Sequence, residues 1–300
     1  MIPEKLKQEL ENQHYKIVGN HSAVKLCHWT KKSLRDEGVC YKEKFYGIKS
    51  HRCLQMSPNI TCNNNCLYCW RVIDHAKVDL GKTVDEPGDI IDESIRKQGL
   101  LLTGFKGFEG TNLVKWREAQ NPTNAAISLI GEPLLYPKMS GLIEEFHKRN
   151  IITFLVTNGQ YPEALETMTQ PKQFYISLDA PDRETYLKLD RPSLKDFWER
   201  MLKSLELMNS FDCKKVIRLT MVKDWNMKET KRYAELIKLA KPDFVEVKGY
   251  VHVGESKNRL PFGAMPYHED VQDFAKQLSQ EMGYSIKGEE RASRVVLLKS

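Results

Sequence analysis

The amino-acid sequence predicts an α/β protein: a partial (β/α)6 barrel of the TIM type, with an N-terminal cysteine-containing extension and a C-terminal helix-and-strand extension. Two observations carry this. From Leu54 onward six short apolar runs recur, and amphipathic stretches of helical period separate them. Strand, helix, strand at such spacing is the signature of parallel strands joined by right-handed crossovers.

The strand candidates are "LQMSPNI" (54–60), "NAAISLI" (124–130), "IITFLVT" (151–157), "QFYISLD" (173–179), "KKVIRLTMV" (214–222) and "DFVEVKGY" (243–250). Helix candidates lie near 88–101, 138–149, 161–168, 193–209 and 227–240. Six such units suffice for an open barrel, and the eight of a closed one are not found. Beyond them "YHEDVQDFAKQLSQEMG" reads as a helix and "RVVLLKS" as a last strand. The chain therefore divides into a basic N-terminal segment (1–53), the barrel (54–250) and a C-terminal extension (251–300).

Hydrophobic residues at 41% and charged residues at 29% of 300 leave ample material for a core. No run approaches the ~18 apolar residues of a membrane span. The polar N-terminus, "MIPEKLKQELENQHYK", is helical in pattern and unlike a signal peptide, so a cytoplasmic protein is expected. The net charge of +6 is uneven, because residues 1–52 hold eleven Lys/Arg against six Asp/Glu. A solvated lysine-rich face and a phosphate-contacting patch explain that excess equally well. On the second reading Lys5, Lys7, Lys16, Lys25, Lys31, Lys32 and Arg35 are the candidates. Residues 103–122 interrupt the barrel rhythm with glycines, aromatics and mixed charge. The segment reads as a disordered loop or as a lid that uses Trp116 and Arg117 for stacking and phosphate contact.

The cysteines are the most informative residues. Cys27, Cys40, Cys53, Cys62, Cys66 and Cys69 lie within 43 residues, whereas Cys213 stands apart as a structural thiol. Such clustering in a chain without a secretory signal points to metal and away from disulfides. "ITCNNNCLYCWRV" spaces three of them C-x3-C-x2-C. Structural zinc takes two pairs to close a tetrahedron. Three cysteines fit three corners of a [4Fe–4S] cube and leave one iron open to a further ligand.

"CNNNCLYC" resembles the CxxxCxΦC loop of the radical S-adenosylmethionine (SAM) enzymes, with Tyr68 as the aromatic residue. That resemblance implies a partial barrel and a cluster on Cys62, Cys66 and Cys69 whose open iron chelates SAM and cleaves it reductively. "SLIGEPLLYP" is similar to the family's glycine-glycine-glutamate motif. It implies that Gly131, Glu132 and Pro133 receive the SAM ammonium, with Ile130 in place of the first glycine. Thr157 and Asn158 end the third strand candidate, and Ser177 and Asp179 end the fourth. They are candidates for ribose and carboxylate contacts, or equally for caps of the following helices. Lys248 stands where the family contacts adenine.

Cys27, Cys40 and Cys53 repeat the pattern of three at C-x12-C-x12-C. Set directly ahead of the CxxxCxxC loop, they resemble the tRNA wybutosine-synthesis enzymes that form 4-demethylwyosine, in the archaeal form without a flavodoxin domain. The likeness implies a radical SAM carbon–carbon bond-forming lyase with a second [4Fe–4S] cluster. Its substrates would be 1-methylguanosine beside the anticodon of tRNA-Phe, and pyruvate. It further implies a monomer served by an electron donor such as a flavodoxin or ferredoxin. Lys42, in "CYKEK", then forms a Schiff base with pyruvate, or orients pyruvate chelated to the second cluster. Two other functions compete: a radical SAM enzyme acting on a peptide or small molecule, and a non-catalytic RNA-binding protein with structural zinc.

Overall fold

The computed structural model describes residues 2–72 and 83–300. It divides into two compact units. One comprises residues 2–62, 83–156 and 168–172, the other residues 63–72, 157–167 and 173–300.

In the first unit α1 (Glu4–Asn12) leads into a hairpin of β1 (Lys16–Val18) and β2 (Ser22–Val24). Two short helices follow, α2 (His28–Leu34) and α3 (Tyr41–Tyr46), then β3 (Cys53–Ser57). After α4 (Pro87–Leu102) and α5 (Leu113–Ala119) come β4 (Asn124–Ile127), α6 (Met139–Lys148) and β5 (Ile152–Thr157). β3, β4 and β5 pair in parallel, with Leu54 opposite Ala125 and Ala125 opposite Thr153. β2 pairs antiparallel to β3 and extends this sheet. The N-terminal segment is thus continuous with the first barrel strands.

The second unit holds α7 (Pro162–Thr167), β6 (Gln173–Ser177), α8 (Arg183–Leu189) and α9 (Phe197–Leu207). β7 (Lys214–Met221), α10 (Thr230–Ala240) and β8 (Phe244–Gly249) continue it. β6, β7 and β8 are parallel. α11 (His268–Met282) then leads to β9 (Ser285–Glu290) and β10 (Val295–Lys299), and β10 joins β8 antiparallel. All six expected barrel strands are present, three in each unit.

Alternation along these strands separates a helix-covered face from a polar one. Val245 and Val247 are fully buried on one face of β8, while Glu246 between them pairs with Arg218 of β7 at 2.9 Å. Tyr233, Ala234, Ile237 and Ala240 make the buried stripe of α10 at helical period. Each large apolar side chain withdrawn from water this way contributes roughly 1.5–3 kcal/mol.

Residues 103–122 are not a disordered loop, since they carry the capped helix α5. Asn112 caps α5, its side-chain oxygen accepting from the N–H groups of Val114 and Lys115. Trp116 donates its indole N–H to Leu102 O at 2.9 Å and packs on Leu26, Leu34, Leu102 and Ala119. The indole expected to stack on a base is a wedge in a small core, because helix capping and burial outweigh the glycines. Arg117 is exposed. Among the described residues no helix is long and apolar enough to cross a membrane.

Candidate functional site

In the first unit two short helices begin at cysteines. Cys27 is the N-cap of α2, Cys40 the N-cap of α3, and Cys53 opens β3. Burial pushes the Cys27 thiol up. It pushes Cys53 up to about 12, and the charges of Cys27 and Cys40 add to the rise. Cys53 therefore feels both of the other sulfurs. Lys42, on the first turn of α3, opposes the rise at both Cys27 and Cys53. Its ammonium stands 4.6 Å from the centroid of the Phe154 ring on β5, held by cation–π attraction. Thiol, thiol and amine are thus gathered in one partly buried place.

The same unit clasps the start of the second cysteine motif. Glu132 donates its N–H to Thr61 O at 2.7 Å, and Ile130 donates to Ser57 Oγ at 2.8 Å. Asn59 accepts from the Thr61 N–H and hydroxyl at 3.1 and 2.9 Å. Gly131 has φ +74°, and a Cβ there would stand 2.5 Å from Thr61 O and 2.6 Å from Asn59 O. Only glycine fits a left-handed turn pressed so closely on backbone. Pro133 follows, and Glu132 is buried, its Oε1 accepting from the Leu134 N–H at 3.0 Å. The residues directly before Cys62 are thereby fastened to the "GEP" turn.

In the second unit the asparagines of "CNNNC" anchor the loop. Asn63 accepts from Asn158 Nδ2 at 2.9 Å, and Asn64 donates to the Tyr186 hydroxyl at 2.9 Å. The Asn65 N–H reaches Asp190 O at 3.0 Å, and Leu67 N–H reaches Leu189 O at 2.9 Å. The turn closes with Cys69 N–H donating to Cys66 O at 3.1 Å. The Tyr68 ring packs on Leu189, Val222, Tyr250, Leu260 and Ala264. Its hydroxyl lies 2.6 Å from Asp179 Oδ2, and the Cys66 thiol donates to Asp190 Oδ1 at 3.5 Å.

Asp179 was expected to contact a ligand. It is buried, one oxygen facing Tyr68 and the other accepting the Thr220 N–H. Thr157 accepts from the Gly159 N–H at 3.1 Å, and Asn158 accepts from the Gln160 N–H at 3.1 Å, so both also brace their own turn. Ser177 is partly exposed, in register with Arg218. Lys248 donates to Ser293 O at 2.8 Å. Sequence reasoning missed Asp190 and Arg259, which belong to no motif with its own spacing, and Asn63 and Asn64, which fill the variable positions of C-x3-C.

None of the seven cysteines is in a disulfide. Among the described residues no group of three or more His, Cys, Asp or Glu side chains stands close enough to hold a single metal ion. Thiolates in sets of three suit the sulfide-bridged irons of a cluster better than a lone metal ion.

Comparison with known proteins extends these observations. Residues 56–237 match the radical SAM superfamily, and residues 239–300 match a family described as wyosine base formation. A tRNA 4-demethylwyosine synthase of Pyrococcus horikoshii is 50% identical over 304 residues, covering 99% of this chain and 89% of that protein. The Homo sapiens TYW1 is 39% identical over 304 residues, covering 99% of this chain and 41% of the longer human protein. The fold matches a structure of TYW1 with a lysine–pyruvate adduct bound, at a TM-score of 0.91 and 36% identity, covering 100% of this chain and 96% of that one. A crystal structure of archaeal TYW1 matches at a TM-score of 0.83 and 32% identity, again covering 100% and 96%. The reading as a zinc-holding RNA-binding protein is set aside on these grounds. The chain belongs to the S-adenosyl-L-methionine-dependent tRNA 4-demethylwyosine synthases, within the radical SAM superfamily.

Proposed function

We propose that this protein joins 1-methylguanosine, beside the anticodon of tRNA-Phe, to two carbons of pyruvate and so builds the tricyclic base 4-demethylwyosine. SAM and one [4Fe–4S] cluster come with membership of the superfamily. In our reading Cys62, Cys66 and Cys69 hold that cluster, and Cys27, Cys40 and Cys53 hold a second. When bound, the cluster and SAM supply the one-electron chemistry that activates the N1-methyl group.

The remaining work falls to side chains. Glu132, fixed by the turn at Gly131 and Pro133, receives the SAM ammonium as a charge-assisted acceptor. Thr157, Asn158, Ser177 and Lys248 are the further polar groups offered to SAM. Asp179 serves the same site through Tyr68, whose hydroxyl it holds. Lys42 condenses its neutral amine with the pyruvate ketone, losing water and fixing the carbonyl carbon for attack. The observation that carries this role is the gathering of Lys42 with the Cys27 and Cys53 thiols beside Phe154. The lysine–pyruvate adduct in a solved relative supports it.

The three segments divide the labour. Residues 1–53 carry the second cluster and the lysines that meet tRNA phosphates, residues 54–250 carry SAM, and residues 251–300 complete the wyosine-specific part. A monomer in the cytoplasm, reduced by a flavodoxin or ferredoxin, completes the proposal. The test is an anaerobic assay of protein reconstituted with iron and sulfide, given SAM, a reductant, pyruvate and methylated tRNA. Tricyclic base should form with two pyruvate carbons. SAM cleavage without any such base would overturn the substrate assignment.

A further inference from the structure

Residues beyond β8 return against the loop that carries Cys66 and Cys69. Gly254 has φ +58°, and a Cβ on it would stand 2.2 Å from Trp70 O. The Glu255 N–H donates to that same carbonyl at 3.0 Å. Ser256 is fully buried, accepting from the Tyr250 hydroxyl at 2.9 Å and donating to Val253 O at 2.6 Å. Ser256 O in turn accepts the N–H groups of Arg259 and Leu260 at 3.1 and 2.9 Å. Leu260 is buried with Leu67 and Tyr68. The turn is therefore rigid, and it aims Arg259 at one place.

There the guanidinium meets three carbonyls. Nε donates to Leu67 O at 3.3 Å, while Nη2 donates to Cys69 O and, at 3.5 Å, to Arg71 O. A planar fork of donors can serve several acceptors at once, whereas an ammonium acts as a point charge. Alternate residues of the cysteine loop are thus tied to a permanent cation. Arg259 lies in the part matching wyosine base formation, outside the radical SAM match. The specialised segment grips the loop common to the superfamily.

We propose that Arg259 is a positioning residue of the cysteine loop: it holds the backbone from Leu67 to Arg71 so that Cys66 and Cys69 are preorganised as ligands, and its charge favours reduction of the cluster they bind. The second half rests on the reading of these cysteines as ligands of the SAM-binding cluster. A fixed cation beside the backbone of a ligating residue stabilises the extra electron of the reduced state by Coulomb attraction.

Two substitutions separate the roles. R259K keeps the charge and loses the fork; R259Q loses both. Hydrogen exchange of the cluster-free protein at residues 66–72 should quicken about tenfold or more in both variants, since charge-assisted bonds are lost. Exchange elsewhere should hold. After reconstitution, the midpoint potential followed by electron paramagnetic resonance should fall in R259Q and stay near the wild-type value in R259K. Unchanged exchange in both variants, or an R259Q potential equal to wild type, overturns the proposal. If R259Q fails to fold, exchange in R259K decides the positioning role, and unchanged exchange there overturns it. Wild-type protein that takes up no iron would refute the ligand reading instead, while the exchange measurement still decides the positioning role.

Discussion

The Tyr68 hydroxyl oxygen lies 2.5 Å from Asp190 Oδ1. The same oxygen is 2.6 Å from Asp179 Oδ2, and one O–H can donate only once. Both contacts are hydrogen bonds only when one of the two buried carboxyl groups is protonated and donates to the tyrosine oxygen. Burial pushes both carboxyls up, and the charge of Asp179 adds to the rise at Asp190.

That arrangement sets a pH dependence. A carboxyl raised above its unfolded value of about 3.9 binds its proton more tightly in the folded state. Stability is then highest at low pH within this window and falls as pH rises toward the raised value. For the cluster-free protein, urea unfolding at pH 5 and pH 8 should register the loss. Asp190→Asn should flatten this part of the profile, because an amide donates to Tyr68 without titrating. A variant whose stability fell just as steeply would contradict the proton count.

Lys42→Ala should abolish formation of the tricyclic base and leave SAM cleavage close to wild type. Lys42→Arg should do the same, since a guanidinium cannot form the imine. Cyanoborohydride added with labelled pyruvate should mark wild-type Lys42 and neither variant, as read by peptide mass. Base formation surviving in Lys42→Ala would remove the residue from the chemistry.

Replacing Cys27, Cys40 and Cys53 together by Ala should lower bound iron from about eight to about four per chain, as two four-iron clusters require. SAM cleavage should persist and base formation should stop. The same change at Cys62, Cys66 and Cys69 should stop both. Equal iron content in wild type and the first variant would exclude the second cluster.

Gly131→Ala should cost about 3 kcal/mol or more, at the high end for a single substitution. It combines a left-handed backbone with a Cβ driven onto the carbonyls of Asn59 and Thr61. Gly107→Ala, where an added Cβ meets nothing within 4 Å, is the control and should stay within about 0.5 kcal/mol. Urea midpoints compare the two.

The barrel strands were legible because alternation and crossover spacing are local properties. Val245 and Val247 announce their own burial, as do Phe154 and Ile176. Other elements carried no such signal. β1 and β2 have three residues each, too few for a period, and β9 is an exposed edge strand without apolar alternation. α8 is seven residues long, held by the cap on Asp182 and by docking of Tyr186 and Leu189. α5 was hidden by the glycines before it.

By itself the sequence nominated the proposed donor sets. Their spacing singles out Cys62, Cys66 and Cys69 on one loop and Cys27, Cys40 and Cys53 ahead of it, and the turn at Gly131 was legible in the same way. Only the tertiary structure decided what steadies them. Tyr68 and Asp190 are 122 residues apart in the chain, and Arg259 lies 190 from the carbonyl of Cys69. No local pattern encodes such pairs, because a hydrogen bond reads distance in space, and that distance exists only once the strands between have folded.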